Sequence, residues 1–526
     1  MQILDSTLRD GAQAEGISFS VEDKIKIARA LWEFGITFIE AGNPGSNQKD
    51  ADFFFKAKKE PFFSSLCAFG STRRKGVKPD DDKGLSALID VGTETVCVFG
   101  KSWDFHAEKI LGVSLDENLE IIEDTVKFLV SKGKNVIFDA EHFFDGYKVN
   151  PDYALSTLEV ASNAGACCVC LCDTNGGTFP HEIYETVKKV CETVSVVRVG
   201  VHCHNDGGMA VANSIEAARA GATHIQGTFT GFGERTGNAC LASIIPNLQL
   251  KLNMLCVPDK NIKKLTETAR FVSEVANIKL NRREPFVGKS AFAHKGGMHI
   301  DGVAKASESF EHIPPETVGN ERRILTSEVA GRGAILDKIR KFNPSAQKGS
   351  AETEQLIEQI KTMENDGYQF EAAEGSLELL VRKHMGKYKP LFELENFKII
   401  GEQTIKGGKA SSSAMIKVTV DGKEEITAAE GDGPVNALDI ALRKALEGFY
   451  PNLKRVNLTD YKVRVLDGSN TTASKVRVLI ESSDGINSWT TVGVSSDIIE
   501  ASRIALADSI EYKLIRDIED KYKAYL

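Results

Sequence analysis

The sequence predicts an α/β protein: a (β/α)8 TIM barrel, then a helical linker or lid subdomain, then a C-terminal α+β regulatory domain with an internal repeat. Three observations carry this reading. Short apolar runs alternate with amphipathic helical stretches from Gln2 to about Leu250, polar residues gather at the ends of those runs, and the pattern turns β-rich from about Glu393. Eight strand-then-helix units in that length suit a closed barrel better than an open sheet, and barrel active sites sit where their strands end.

In order, the expected strands are Gln2–Asp5, Thr37–Ala41, Leu66–Phe69, Thr95–Phe99, Val136–Ala140, Ala166–Cys172, Val199–His204 and Thr223–Gly227. Between them lie helix patterns such as Val21–Phe34, which opens on Ser20 as N-cap with Asp23 closing a capping box, and Leu115–Lys132. From about Asn281 to Gly386, helical segments such as Glu352–Met363 and Ala373–His384 are interrupted by Pro314-Pro315 and Asn343-Pro344. In the last part, Ala414–Val420 followed by Val435–Leu446 resembles Lys475–Glu481 followed by Ile498–Tyr512. Each half alone would leave a sheet face uncovered, so the halves should pack together or against a dimer partner. The expected domains are 1–280, 281–390 and 391–526.

With 526 residues, 42% hydrophobic and 26% charged, the chain reads as a soluble globular protein of two or three domains. A net charge of −9 argues against nucleic acid or an anionic membrane as main partner, though local Lys and Arg can still bind phosphates. No apolar run approaches the roughly 20 residues that span a bilayer. The N-terminus lacks the pattern of a signal or transit segment, so a cytoplasmic location is expected. The run Cys167, Cys168, Cys170 and Cys172 contains a C-x-x-C, but its apolar setting favours reduced thiols in a buried strand.

The chemistry concentrates in two short segments, Leu8-Arg9-Asp10-Gly11 and His202-Cys203-His204. Alternation along a strand puts both imidazoles on one face. With Asp10 they would form a facial N,N,O set with open positions, which suits a catalytic divalent metal rather than a closed structural zinc. Gly100-Lys101-Ser102 and Gly288-Lys289-Ser290 lack the leading glycine of a phosphate loop, and no G-x-S-x-G occurs.

The ordered strings LRDGAQ, FDAEHF, CDTNGG, HCHND, GFGERTGN and HKGGMHIDG, with the longer STLRDGAQAEGISFS, DAEHFFDGYK and TAAEGDGPVNALD, resemble the α-isopropylmalate/homocitrate/citramalate synthase family over nearly the whole chain. That resemblance implies a metal-dependent Claisen condensation of acetyl-CoA, as co-substrate, with a 2-oxo acid, here pyruvate. It implies Asp10, His202 and His204 as ligands of Mn²⁺, Mg²⁺, Zn²⁺ or Co²⁺, with Asn238 as a further ligand or a neighbour of one. Arg9 would stabilise the oxyanion on the keto oxygen, and Thr174 would bind the substrate carboxylate. Glu141 matches a glutamate at the family's metal site, and His299 and Asp301 match an H-x-D that reaches a partner subunit's active site. Which of these three removes the acetyl proton stays open. Asn43 stands near the acceptor pocket where an aromatic is expected, and Phe310 stands where relatives often carry tyrosine. Arg73-Arg74-Lys75 would contact CoA phosphates or form an exposed charged loop.

A homodimer, isoleucine as effector and a place in isoleucine biosynthesis complete what the resemblance implies. Another 2-oxo acid acceptor, an acyl-CoA lyase and a ligand-sensing protein on an inactive barrel are the competing readings.

Overall fold

Eight parallel strands close into a barrel in sequence order. They are β1 (Gln2–Asp5), β2 (Phe38–Glu40), β3 (Leu66–Ser71), β4 (Thr95–Lys101), β5 (Asn135–Glu141), β6 (Cys168–Asp173), β7 (Arg198–Cys203) and β8 (His224–Gly227). The computed structural model describes residues 1–194, 197–325, 336, 339–340, 346–347, 349–386, 388–402, 411–466, 474–485 and 487–524. Register is continuous around the ring: Leu4 pairs with Phe38, Cys97 with Ile137, and Asp5 with Gly227 to close it.

Each strand carries two kinds of residue because alternate side chains face opposite ways. One set packs against the surrounding helices, as Ile39, Val96, Phe138, Val169 and Val201 do with Ile27, Leu31 and Val126. The other set fills the barrel, where Leu4, Cys67, Cys97, Ile137, Cys168 and Cys170 form a second cluster. The C-x-x-C is thereby split: Cys167 is exposed and Cys170 is buried. Cys168 and Cys170 fill the barrel, as the apolar setting predicted, whereas Cys167, expected in the buried strand, precedes β6 and is exposed.

The helix Val21–Phe34 begins and ends where the sequence places it. Ser20 Oγ accepts from Asp23 N, the Asp23 carboxylate accepts from Ser20 N, and Gly35 at φ 106° takes the left-handed C-terminal position. Most strand ends shift by one or two residues from expectation, and one shift bears on the site. β7 stops at Cys203, and His204 leaves the ladder to bridge Asn238 while its N–H donates to Asp173 O at 3.2 Å. The strand yields there because the GERTGN loop supplies a second partner at its end.

The chain divides into two compact units, Met1–Ala293 with Gly302–Arg323, and His294–Asp301 with Ile324–Leu526. In the second unit the helices Ala351–Asn365 and Glu374–His384 match the expected segments within two residues. The expected break at Asn343-Pro344 lies outside the described residues. Two three-stranded antiparallel sheets follow, Glu393–Glu402/Ser411–Val420/Lys423–Gly431 and Asn457–Val465/Val476–Ser483/Ser488–Ser495. Each is followed by a helix, Pro434–Glu447 and Ile498–Ala524, so the repeat seen in the sequence is structural. The halves share one core in which Leu438, Leu442 and Leu446 join Ala501, Leu506 and Ile510. Among the described residues no helix is long and apolar enough to cross a membrane.

Candidate metal and oxyanion site

The residues Asp10, His202 and His204 converge just beyond the C-terminal ends of β1 and β7. Each offers a ligand atom, and these atoms lie within 4.8 Å of one another in a buried setting. Asp10 Oδ2 is 3.3 Å from His202 Nε2 and 3.8 Å from His204 Nε2. Asp10 is placed by a tight turn after β1, in which Arg9 N and Gly11 N both donate to Ser6 O. One carboxylate and two imidazole nitrogens aimed at one point, with Asn238 Oδ1 buried and without a hydrogen-bond partner, fit a divalent cation. Asn238 Nδ2 donates to Phe232 O at 3.2 Å, which turns its amide oxygen away from that carbonyl.

Asp10 is held ionised and His204 neutral, while at His202 burial pulls the imidazole down and Asp10 outweighs it, raising it. Burial pushes the Asp10 carboxyl up, but Arg9 and the hydrogen bond from His202 outweigh it and hold it well below the ordinary range. Burial followed by the nearby His202 depresses His204 to about 4, leaving a neutral imidazole.

Arg9 stands beside the site, its Nη1 3.2 Å from Asp10 Oδ2 and its Nε 2.6 Å from Glu40 Oε2. Its guanidinium carbon lies 3.8 Å from the centre of the Phe69 ring, a cation–π contact. Arg9, Phe69 and Asn43 line a cavity of about 260 Å³ whose other walls include Leu8, Phe19 and Asn47. Asn43 is held there because its N–H donates to Asp50 Oδ2 at 2.9 Å and its Oδ1 accepts from Gly45 N at 3.1 Å.

Glu141 ends β5 two residues beyond Asp139 on the same face, and it forms an ion pair with Lys101, the last residue of β4. Thr174 follows β6, where its Oγ1 accepts from His142 N at 2.9 Å and its carbonyl accepts from Arg235 Nη2 at 2.8 Å. Arg235 is in turn clasped by Asp206 through two 2.8 Å bonds. His299 and Asp301 fall in the second unit, on the helix Gly297–Lys305. Phe310 is partly exposed in the first unit. Of the basic cluster, Arg73 is engaged with Asp124 at 2.7 Å, while Arg74 and Lys75 are exposed.

The sequence reading missed Glu40, Lys101, Asp139 and Gln226. Each is a polar residue on a barrel strand, and that was the available signal: burying a charge or an amide is costly unless it has a partner.

Residues 1–272 match the HMGL-like family, residues 286–367 the homocitrate synthase post-HMGL domain-like family, and residues 371–514 the LeuA allosteric (dimerisation) domain. An (R)-citramalate synthase from Aquifex aeolicus is 54% identical over 519 residues, which cover 98% of each chain. One from Geobacter sulfurreducens is 51% identical over 520 residues, 99% of this chain and 98% of that one. A probable 2-isopropylmalate synthase from Methanopyrus kandleri is 34% identical over 502 residues, 95% and 96% of the two chains. The barrel and its carboxylate–imidazole site thus define a protein of the HMGL-like class. With the full-length matches added, the chain belongs to the (R)-citramalate synthase family.

Proposed function

We propose that this chain is an acyltransferase that joins acetyl-CoA to pyruvate and, with one water, releases (R)-citramalate and CoA. The observation that carries the chemistry is the buried Asp10–His202–His204 set with the Arg9 guanidinium beside it. The acceptor follows from the full-length likeness, at 54% and 51% identity, to proteins named (R)-citramalate synthase, against 34% to the isopropylmalate relative.

Asp10, His202 and His204, with Asn238, would hold Mn²⁺, Mg²⁺, Zn²⁺ or Co²⁺. Such a cation supplies a Lewis acid for the keto group. Arg9 faces the oxyanion that grows on that oxygen, and Glu40 fixes its guanidinium so that little reorganisation is needed. The Thr174 oxygen already accepts from His142 N–H, so its hydroxyl proton is left to donate to the pyruvate carboxylate. Asn43 lines the acceptor cavity. Glu141, His299 and Asp301 are the groups assigned to removal of the acetyl methyl proton, whose pKa far above neutrality demands a positioned base.

The proposed organisation is a catalytic barrel at 1–280, a linker at 281–390 and an allosteric domain at 391–526, working as a homodimer. Ile400, Met415 and Ile426, exposed on the strand face of the first sheet opposite its buried core, are apolar side chains that a second copy would cover. Isoleucine is the proposed effector, in a cytoplasmic pathway that makes it; ten free thiols suit that reducing compartment.

The test is release of free CoA thiol from acetyl-CoA with pyruvate, 2-oxoisovalerate, oxaloacetate or 2-oxoglutarate, each with and without isoleucine. Turnover is expected with pyruvate, reduced by isoleucine. No turnover with pyruvate overturns the acceptor assignment, and turnover with 2-oxoisovalerate alone moves the chain to isopropylmalate synthesis.

A further inference from the structure

Inside the barrel, behind the metal site, a chain of three wholly buried side chains runs from β7 through β8 to β5. Gln226 Nε2 lies 2.8 Å from Asp139 Oδ1, and Gln226 Oε1 lies 2.8 Å from His202 Nδ1. All three residues are at most 4% exposed, so water does not compete for these contacts. Neither Asp139 nor Gln226 offers a ligand atom to the Asp10–His202–His204 set.

The donor and acceptor logic runs one way. A carboxylate only accepts, so the Gln226 amide must turn its NH2 toward Asp139. Its carbonyl oxygen then faces His202 and can also only accept, so Nδ1 of that imidazole must carry the proton. In the neutral ring His202 Nε2 is then left with its lone pair, and only a protonated ring donates from that atom to Asp10 Oδ2, 3.3 Å away. We propose that Gln226 and Asp139 are positioning residues that hold His202 in the Nδ1–H tautomer and thereby keep its Nε2 ready to bind a divalent cation.

This inference rests on the metal reading of Asp10, His202 and His204 and adds residues on β5 and β8 to it. Orienting partners of ligating imidazoles commonly carry about 10- to 100-fold in metal affinity. His204 has no such brace, since its Nδ1 is buried without a partner. The two imidazoles are therefore inequivalent, and His202 is the one whose ring and tautomer are fixed before a cation arrives.

The experiment has two arms on the full-length chain. Nitrogen-15 NMR of histidine-labelled, metal-free protein at pH 9, assigned with a His202→Ala variant, reads the tautomer of the neutral ring. A proton on Nδ1 and none on Nε2 is expected; a proton on Nε2 overturns the proposal. In the second arm Mn²⁺ binding is followed by electron paramagnetic resonance for wild type, Gln226→Glu and Gln226→Leu. Gln226→Leu removes the acceptor and should weaken Mn²⁺ binding about 10- to 100-fold, whereas Gln226→Glu keeps an acceptor oxygen and should stay within about threefold of wild type.

Thermal unfolding of the same variants should follow the opposite order, because Gln226→Glu places a second carboxylate beside buried Asp139 and Gln226→Leu does not. Affinities that track the unfolding order, or a Gln226→Leu variant that binds Mn²⁺ as wild type does, mean that Gln226 only packs. Failure of the metal reading itself is separate: wild type and His202→Ala would then take up Mn²⁺ equally poorly.

Discussion

Arg9 Nε lies 2.6 Å from Glu40 Oε2, and the carboxylate of Glu40 is withdrawn from solvent altogether. Ser6 Oγ donates to the same oxygen at 2.6 Å, so this carboxylate fixes both ends of the turn that carries Asp10. A guanidinium needed for a developing oxyanion works best when its direction is set in advance, and a buried carboxylate from the next strand does that. Replacing Glu40 by Gln leaves the ligands in place and loosens Arg9. The expected result is a fall of about 100-fold in kcat/KM for pyruvate. Mn²⁺ affinity should change far less, and titrating the metal in parallel with steady-state kinetics checks the split.

In the proposed role Thr174 would serve two neighbours, His142 and the substrate carboxylate, through one hydroxyl. Its oxygen is committed to His142 N, whose residue sits at a positive φ of 56° immediately after β5. Thr174→Val removes both the acceptor for that N–H and the proton available to the substrate carboxylate. Hydrogen bonds to charged groups are worth about 1.5–3 kcal/mol, which corresponds to roughly 10- to 150-fold. That loss is expected mainly in KM for pyruvate, with Thr174→Ser restoring most of it. Equal KM values for the Ser and Val variants would remove Thr174 from the carboxylate site.

The parts of this protein that were legible in its sequence are those encoded by short-range periodicity. The H-x-H pair needed only strand alternation, and Ser20 with Asp23 needed only the spacing of one helical turn. The C-terminal repeat was legible because each half carries its own strand-then-helix pattern. Barrel closure is different: it brings side chains on β2, β5 and β8 toward residues on β1 and β7, and no spacing along the chain announces those meetings. Glu40 beneath Arg9 and Gln226 between Asp139 and His202 are products of that closure. His204 shows the limit from the other side, since a loop partner, Asn238, ended its strand one residue early.

Within the second unit Glu378 is buried between two cations, accepting from Arg382 Nη2 at 2.6 Å and from Arg516 Nη2 at 2.7 Å. Arg382 continues to Glu519 at 2.6 Å, so one carboxylate ties the helix Glu374–His384 to the long C-terminal helix. Glu378→Ala leaves two cations facing each other with one acceptor fewer. A loss of about 1.5–3 kcal/mol is expected for this unit, because Glu378 accepts hydrogen bonds from two guanidiniums that water and Glu519 only partly replace. Trp489, whose Nε1 donates to Ser509 O at 3.0 Å, reports on it once Trp32 and Trp103 are replaced by Phe. The transition monitored by Trp489 should move to lower denaturant, while Mn²⁺ affinity at the barrel is unchanged.

Asp5 gives the barrel a pH dependence of unusual sign. Burial raises its carboxyl from 3.8 to about 7 against the opposing hydrogen bonds from Thr7, and among the described residues Oδ2 has no hydrogen-bond partner. Between those two values the folded chain holds a proton that the unfolded chain has released. Stability therefore falls as pH rises through that window, and Asp5 adds no slope below about 4 or above about 7. Asp139 acts with the same sign, raised by burial and then by Glu40, but its window closes near about 6. Between pH 6 and 7 Asp5 still contributes this falling slope after Asp139 has finished, alongside His202, whose imidazole Asp10 raises against its burial. In a Trp489→Phe background, where Trp32 and Trp103 report the barrel, wild type should lose denaturant resistance across that interval. Asp5→Asn, which has no proton to lose, should fall less steeply there while keeping the slopes that Asp139 contributes below pH 6 and that His202 contributes as its raised imidazole titrates. An unchanged slope between pH 6 and 7 in Asp5→Asn would assign that proton to another buried group.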